Sequence, residues 1–162
     1  MELRDATAAD ADAIVGIYNH YVATTVISFE EDAVTELAMR ERIAEIQKAG
    51  LPWLVATLDG EVVAYAYASN WRVRAAYRFS VESTVYVDKN YSGRGLGTAV
   101  YSALIERLRQ AGRHVVIGGI ALPNDASVAL HEKMGFRKVA HFAEVGLKFD
   151  RWIDVGYWQL KL

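Results

Sequence analysis

Glu82–Thr98 reads ESTVYVDKNYSGRGLGT, and the folding of this stretch decides how the rest of the chain is arranged. Ser83-Thr84-Val85-Tyr86-Val87 is rich in β-branched and aromatic residues and predicts a strand. Asp88-Lys89-Asn90 breaks it, and Gly93-Arg94-Gly95-Leu96-Gly97-Thr98 follows. Leu96, Val100, Leu104 and Leu108 then recur at steps of four, the spacing of one helix face. Strand, glycine loop and helix start in that order make an anion site. Glycine lets the backbone approach closely, and the first N–H groups of a helix lack intrahelical partners. The helix dipole adds partial positive charge and Arg94 a full one. A pyrophosphate is the natural guest.

Two nucleotide signatures fit poorly. The P-loop ends in Gly-Lys-Ser/Thr, whereas Gly97 is followed directly by Thr98. The dinucleotide fingerprint is G-x-G-x-x-G, but the spacing here is G-x-G-x-G, and no acidic residue ends a following strand on cue. Taken alone, the loop also admits a plain glycine turn ahead of an ordinary helix.

Further blocks narrow the choice. With Pro123-Asn124-Asp125-Ala126-Ser127 and Leu130-His131-Glu132-Lys133-Met134-Gly135-Phe136, the loop resembles the acetyl-CoA site of the GNAT superfamily of N-acetyltransferases. Ile17–Val22, Ala76-Tyr77, Val81–Val87, Glu144–Lys148, Trp152, Asp154-Val155 and Trp158-Gln159 resemble its phosphinothricin acetyltransferase branch. The similarity runs over nearly the whole chain. Ser92 departs from it, since the family's loop usually opens with Gln or Arg there; Arg94 is the residue at hand to supply that charge.

The chain as a whole sets outer bounds. Its 162 residues fit one domain, 1–162, with a substantial core. Hydrophobic content of 52% and charged content of 23% are ordinary for a globular protein. A net charge of −2 gives no reason to expect nucleic acid or an anionic membrane as partner. Zero cysteines exclude disulfides and thiolate catalysis and argue against a zinc site; no metal is expected. Met-Glu-Leu-Arg-Asp carries no apolar signal region and no run approaches a membrane span, so a cytoplasmic location is expected.

In order along the chain, Glu2–Arg4 predicts a short strand and Thr7, with Asp10 three residues on, a helix cap. Ile14, Ile17, Tyr18 and Tyr21 line one face of that helix, with Asn19-His20 near its end. Thr24–Glu31 is an irregular connection, and Thr35 caps a second helix with Leu37, Ile43 and Ile46 at helical spacing, stopped by Gly50-Leu51-Pro52. Trp53–Leu58 and Val62–Ser69 are strands joined by Asp59-Gly60. Phe79–Val87 is the central strand, Gly95–Gln110 a long helix, and Val115–Ile120 a buried strand. A helix begins at Asn124 and ends at Gly135; strands Arg137–Leu147 and Trp152–Leu162 finish the chain. Such alternation gives an α/β fold with a mixed sheet. The resemblance sharpens it to the GNAT fold, in which two parallel neighbours splay and coenzyme A enters the gap.

Acetyl transfer to an amine needs a held donor, a neutral amine, a stabilised oxyanion and a route for the thiolate. On the resemblance, acetyl-CoA is the co-substrate. Its peptide-like arm can pair with backbone along Val85, Tyr86 and Val87. Its pyrophosphate sits on Gly93, Arg94, Gly95, Leu96, Gly97 and Thr98. Asn124 and Ser127, at a helix start, meet the pantetheine arm. The glutamate of the Glu-x-x-Val-Tyr-Val block serves that branch as general base, which assigns the role to Glu82. A backbone N–H of Thr84–Val85 can polarise the thioester carbonyl. His131 stands where many family members carry a tyrosine that protonates the thiolate; it is the candidate acid, or else a packing residue. Phe29 is a candidate wall of the acceptor pocket or part of the core. Trp71–Arg78 holds Arg72, Arg74 and Tyr77, and planar guanidinium groups suit carboxylate or phosphinate recognition.

The expected acceptor is a small-molecule amine: an amino-acid analogue such as phosphinothricin, methionine sulfoximine or methionine sulfone. Three alternatives stand beside it: a polyamine or aminoglycoside, a protein N-terminus, and a coenzyme-A-binding sensor without catalysis. The family also implies a homodimer.

Overall fold

Asp59 and Gly60 both take positive φ, 51° and 86°, and close the first hairpin of the sheet as their sequence predicts. The computed structural model describes residues 1–162. Its strands are β1 (Glu2–Asp5), β2 (Trp53–Leu58), β3 (Glu61–Asn70), β4 (Ser80–Val87), β5 (Val115–Leu122), β6 (Arg137–Lys148) and β7 (Arg151–Lys161). Its helices are α1 (Ala11–Thr24), α2 (Glu36–Lys48), α3 (Leu96–Gln110) and α4 (Asp125–Lys133). All seven strands form one sheet in the order β1-β2-β3-β4-β5-β7-β6. Every neighbouring pair is antiparallel except β4 and β5, which run parallel.

The period-2 pattern of the strands sorts side chains onto two layers. Trp53, Val55 and Tyr65 face α1 and α2, packing with Ile14, Ile17, Met39 and Ile43. Leu54, Ala56, Ala64, Ala66 and Ala68 face the other way, under Val100, Tyr101, Leu104 and Leu108 of α3. From Ala64 to Ala68, β3 therefore presents alanines on one face and Tyr65 and Tyr67 on the other. Small residues let α3 lie close, while on the opposite face Trp53 stacks on Tyr67 at 4.0 Å between ring centroids.

Some boundaries and faces differ from the sequence reading. Thr7 opens a single 3₁₀ turn, Ala8–Asp10, before α1 begins; Asp10 accepts from the Thr7 N–H at 2.7 Å and holds Arg4 in a two-pronged ion pair. Leu37 is 67% exposed, because in the first turn of α2 it points away from the sheet and Met39 fills the place expected for it. Phe79 lies outside β4 and is half exposed. β6 is bulged, with Glu144 at φ 51°, which a strict two-residue period does not foresee.

Candidate active site

β4 and β5 pair only from Ser80↔Val115 to Glu82↔Ile117, yet β4 continues to Val87 and β5 to Leu122. Beyond Glu82 the two strands part, and a cleft opens between them. Antiparallel pairing with β3 decides which backbone groups face that cleft. The Asp88 N–H donates to the Val63 carbonyl at 2.8 Å, so even-numbered residues of β4 turn their polar groups toward β3. Ser83, Val85 and Val87 turn theirs into the opening. This separates two residues that the sequence reading left together: the Thr84 N–H is committed to β3, and the Val85 N–H faces the cleft.

The loop ahead of α3 lies at one end of the opening. Gly93 and Gly95 both have φ of 77°, and Gly95 is the N-cap of the helix. The first helical hydrogen bond runs from Ala99 N–H to Gly95 C=O, so the N–H groups of Leu96, Gly97 and Thr98 have no partner within the helix. Gly97 is needed for a different reason. A Cβ there would stand 3.3 Å from Val87 Cγ2 and 3.8 Å from Leu130 of α4, so the missing side chain lets α3 approach β4. Arg94 rests on the Tyr91 ring, 5.1 Å from its centroid. Asn124 caps α4 by accepting from the Ser127 N–H at 3.1 Å. That bond uses its Oδ1 and leaves its NH₂ as the donor available to the cleft. The Val87 carbonyl accepts from the Tyr21 hydroxyl, so the strand groups of β4 without a strand partner on this side are those of Val85. Free N–H groups, this stretch of strand edge and a glycine-lined approach fit a pyrophosphate with a peptide-like arm.

Glu82 and His131 both line the cleft, on opposite faces of the sheet. Gly118 and Gly119, side by side on β5, make room for them. A Cβ on Gly119 would be 3.5 Å from Glu82 Oε1 and 3.1 Å from the Tyr157 ring. One on Gly118 would be 2.5 Å from His131 Nε2. Burial raises the Glu82 carboxyl above the ordinary glutamate range, and the positive charge of Arg72 opposes that rise. A carboxylate shifted toward neutrality while still ionisable suits a general base.

His131 is only 4% exposed. Its Nδ1 donates to the Ser127 carbonyl at 2.7 Å, and its ring meets Tyr101 and Phe136 edge-on. Burial lowers its basicity, and in the neutral ring the proton is on Nδ1, where the Ser127 carbonyl accepts it. The Nε2 that faces Gly118 is then a lone pair. The structure brings His131 to the cleft as expected; burial works against its imidazolium form, and the hydrogen bond to the Ser127 carbonyl works for it.

The expected acceptor residues divide. Arg72 lies beside Trp71, its guanidinium 4.9 Å from that ring, and its charge is felt at Glu82. Arg74 and Tyr77 share an open concavity with Trp71 and Arg72 but do not line the cleft itself. Phe29 is 42% exposed and its ring covers Gly146, where a Cβ would fall 2.4 Å from ring carbon Cε2. Two residues before it, Ile27 reaches the cleft. Sequence reasoning missed Gly118, Gly119 and Ile27. Adjacent glycines inside a buried strand are a signal of close approach that was there to be used. No group of three or more His, Cys, Asp or Glu is gathered as a metal site, and no helix is long and apolar enough to cross a membrane.

The model of the acetyltransferase (GNAT) domain matches residues 3–156. The phosphinothricin N-acetyltransferase of Streptomyces viridochromogenes is 40% identical over 159 residues, covering 98% of this chain and 86% of its own. The L-methionine sulfoximine/L-methionine sulfone acetyltransferase of Salmonella typhimurium is 39% identical over 165 residues, covering 100% and 95%. A ribosomal-protein-alanine N-acetyltransferase from Brucella melitensis superposes with a TM-score of 0.98 at 37% identity, over the full length of both chains. A phosphinothricin acetyltransferase from Sinorhizobium meliloti, solved in complex with AcCoA, gives 0.96 at 38% identity, over 99% of this chain and 88% of that one.

Proposed function

The chain belongs to the GNAT acetyltransferase family and is an acetyl-CoA-dependent N-acetyltransferase, and from that premise we propose its acceptor, its mechanism and its assembly. The acceptor is the amino group of a small amino-acid analogue of the phosphinothricin, methionine sulfoximine or methionine sulfone kind. The observation that carries this reading is the parting of β4 from β5 beside Glu82, with the Arg72 cation near enough for its charge to act on that carboxyl. A carboxylate-bearing amine can there present its anion to a guanidinium and its nitrogen to a base. Names of the two relatives support the acceptor class. Cations at the entrance disfavour a polyamine or an aminoglycoside.

Acetyl-CoA supplies a thioester whose C–S bond breaks as the new N–C bond forms. Glu82 takes the proton from the acceptor ammonium, directly or through one water, and frees the attacking lone pair. The Val85 N–H donates to the carbonyl oxygen as negative charge gathers on it. The N-termini of α3 and α4 fix the donor's position at the Gly93–Thr98 loop and at Asn124. His131 shapes the donor-side wall as a neutral ring, and the thiolate departs without its proton.

The enzyme works in the cytoplasm, where its donor is a metabolite, and acetylating such analogues confers resistance to them. It works as a homodimer. Val139, Phe142, Val145, Leu147, Phe149 and Trp152 are each more than half exposed along β6, the edge strand, and its hairpin to β7. An exposed apolar edge of this extent calls for a cover, and a second copy supplies one. Light scattering at micromolar concentration is expected to give twice the 18.0 kDa of one chain; a monomer mass overturns the dimer.

Thiol release from acetyl-CoA against an acceptor panel tests the substrate. Turnover is expected with phosphinothricin, methionine sulfoximine and methionine sulfone. Turnover only with spermidine, an aminoglycoside or an alanine-terminated peptide overturns the acceptor and keeps the reaction. Coenzyme binding with no turnover on any acceptor points to a sensor.

A further inference from the structure

Lys148 is the one lysine among the buried residues, at 2% exposed, and the mechanism above makes no use of it. It sits at the end of β6, where alternate residues face inward: Gly146 and Lys148 are buried while Val145 and Leu147 are exposed. Its ammonium donates to two backbone carbonyls, Val22 at 2.8 Å and Ser28 at 2.6 Å. The first belongs to the last turns of α1, and the second to the connection that follows. One side chain thus ties both ends of the segment carrying Ile27 into the cleft.

Two further contacts hold the same segment. The Phe29 ring lies flush on Gly146, in space that any side chain there would occupy. The Tyr18 hydroxyl binds the Ser28 hydroxyl at 2.8 Å and donates to Glu30, and Glu30 is gripped through both oxygens by Arg42 of α2, at 2.9 and 2.6 Å. Glu30 and Glu31 also supply negative charge near the ammonium, which offsets part of the cost of burying it. Thr25–Glu31 is irregular backbone, so without these anchors nothing regular fixes the height of Ile27 over Glu82 and Thr84.

We propose that Lys148 is a positioning residue for acetyl transfer: through the Val22 and Ser28 carbonyls it sets the Thr25–Glu31 segment, and with it Ile27 and Phe29, as the roof of the acceptor side of the cleft. It touches no reacting atom. Replacing it leaves two carbonyls without their donor and frees the roof, while the α3 loop that holds the donor is untouched.

The inference rests on the N-acetyltransferase reading for its kinetic arm only; the placement of the segment is read separately. In Lys148→Met the acceptor KM is expected to rise about tenfold, the size of effect that follows from losing one well-made anchor. The acetyl-CoA KM stays within about twofold, since the donor contacts are elsewhere. Amide hydrogen exchange is expected to speed up at residues 25–31 and to keep its wild-type pattern in β4 and α3. Gly146→Ala, which forces the Phe29 ring off its seat without touching the ammonium, gives the same acceptor-only change and stands in if the methionine variant does not fold. Wild-type exchange across 25–31 in both variants overturns the proposal. So does a rise in both KM values with exchange quickened throughout, which marks an ordinary loss of stability. If the wild-type enzyme acetylates nothing on the panel, the exchange data still decide the anchoring.

Discussion

The donor and acceptor sides of the cleft are built from different materials. On the proposed donor side the groups on offer are backbone: the free N–H groups of Leu96, Gly97 and Thr98, the edge of β4 at Val85, and glycines that leave space. On the proposed acceptor side the candidates are side chains carried on irregular segments: Ile27, which lines the cleft, on one connection, and Arg72, in the neighbouring concavity, on another. Residues 72–79 are all exposed, and Val73 is 101% exposed. Backbone donors at a helix start cannot be changed by substitution, so they suit a ligand that never varies. Exposed side chains can be exchanged without disturbing the sheet, and they suit one that does. A single scaffold can therefore keep its donor while its acceptor changes.

Glu82 belongs to both sides, so its loss is expected to cost most. Glu82→Gln keeps the shape and removes the proposed base, and is expected to lower kcat by about a hundredfold or more, with acetyl-CoA affinity by calorimetry unchanged. Its titration gives a sign as well. The base works only when ionised, so kcat/KM rises with pH through the Glu82 pKa, which burial places above that of a free glutamate. A variant with wild-type turnover assigns the base elsewhere.

Gly97→Val probes the donor side alone. The added side chain meets Val87 and Leu130, so α3 must back away from β4. The expected result is a rise in the acetyl-CoA KM of about tenfold and a loss of about 1–3 kcal/mol in chemical denaturation, with the acceptor KM little changed. Equal changes in both KM values break the proposed division of labour.

Arg72→Ala and Arg74→Ala sharpen it from the acceptor side. Removing Arg72 takes away the charge that opposes the rise at Glu82, so the acid limb of the pH–rate profile moves to higher pH. The acceptor KM rises by about tenfold for the lost charge-assisted contact. Arg74 lies outside the cleft, exposed to solvent, and its removal changes the acceptor KM by no more than about threefold. Reversed magnitudes place the acceptor's carboxylate in the outer concavity with Tyr77.

Much of the donor side was legible because its parts are neighbours in the chain. A β-branched run, a break, G-x-G-x-G and a four-residue apolar repeat all fall within Ser83–Leu108, and each works through local backbone geometry. The register of Asp59-Gly60, the cap at Thr35 and the stop at Gly50 were legible for the same reason. Leu37 misled because helical spacing identifies an apolar residue and not the direction of the nearest layer. For His131, residue type shows which protons a side chain can carry, while the Ser127 carbonyl, which only the fold brings to Nδ1, decides which nitrogen holds one.

The sequence by itself determined the α/β architecture, the anion-binding helix start, the glutamate in the central strand and the kinship to the GNAT acetyltransferases. The first three follow from short-range patterns, namely side-chain period, glycine conformational freedom and unpaired N–H groups at a helix end, and the kinship from resemblance of sequence blocks along nearly the whole chain. Tertiary structure alone decided where β4 and β5 part, that Val85 and not Thr84 offers its N–H to the gap, and that Glu82 and His131 stand on opposite faces. It also decided that Lys148 reaches across 126 positions to the carbonyl of Val22. Pairing register and burial depend on residues far apart in the chain, and no local pattern records which of them will meet.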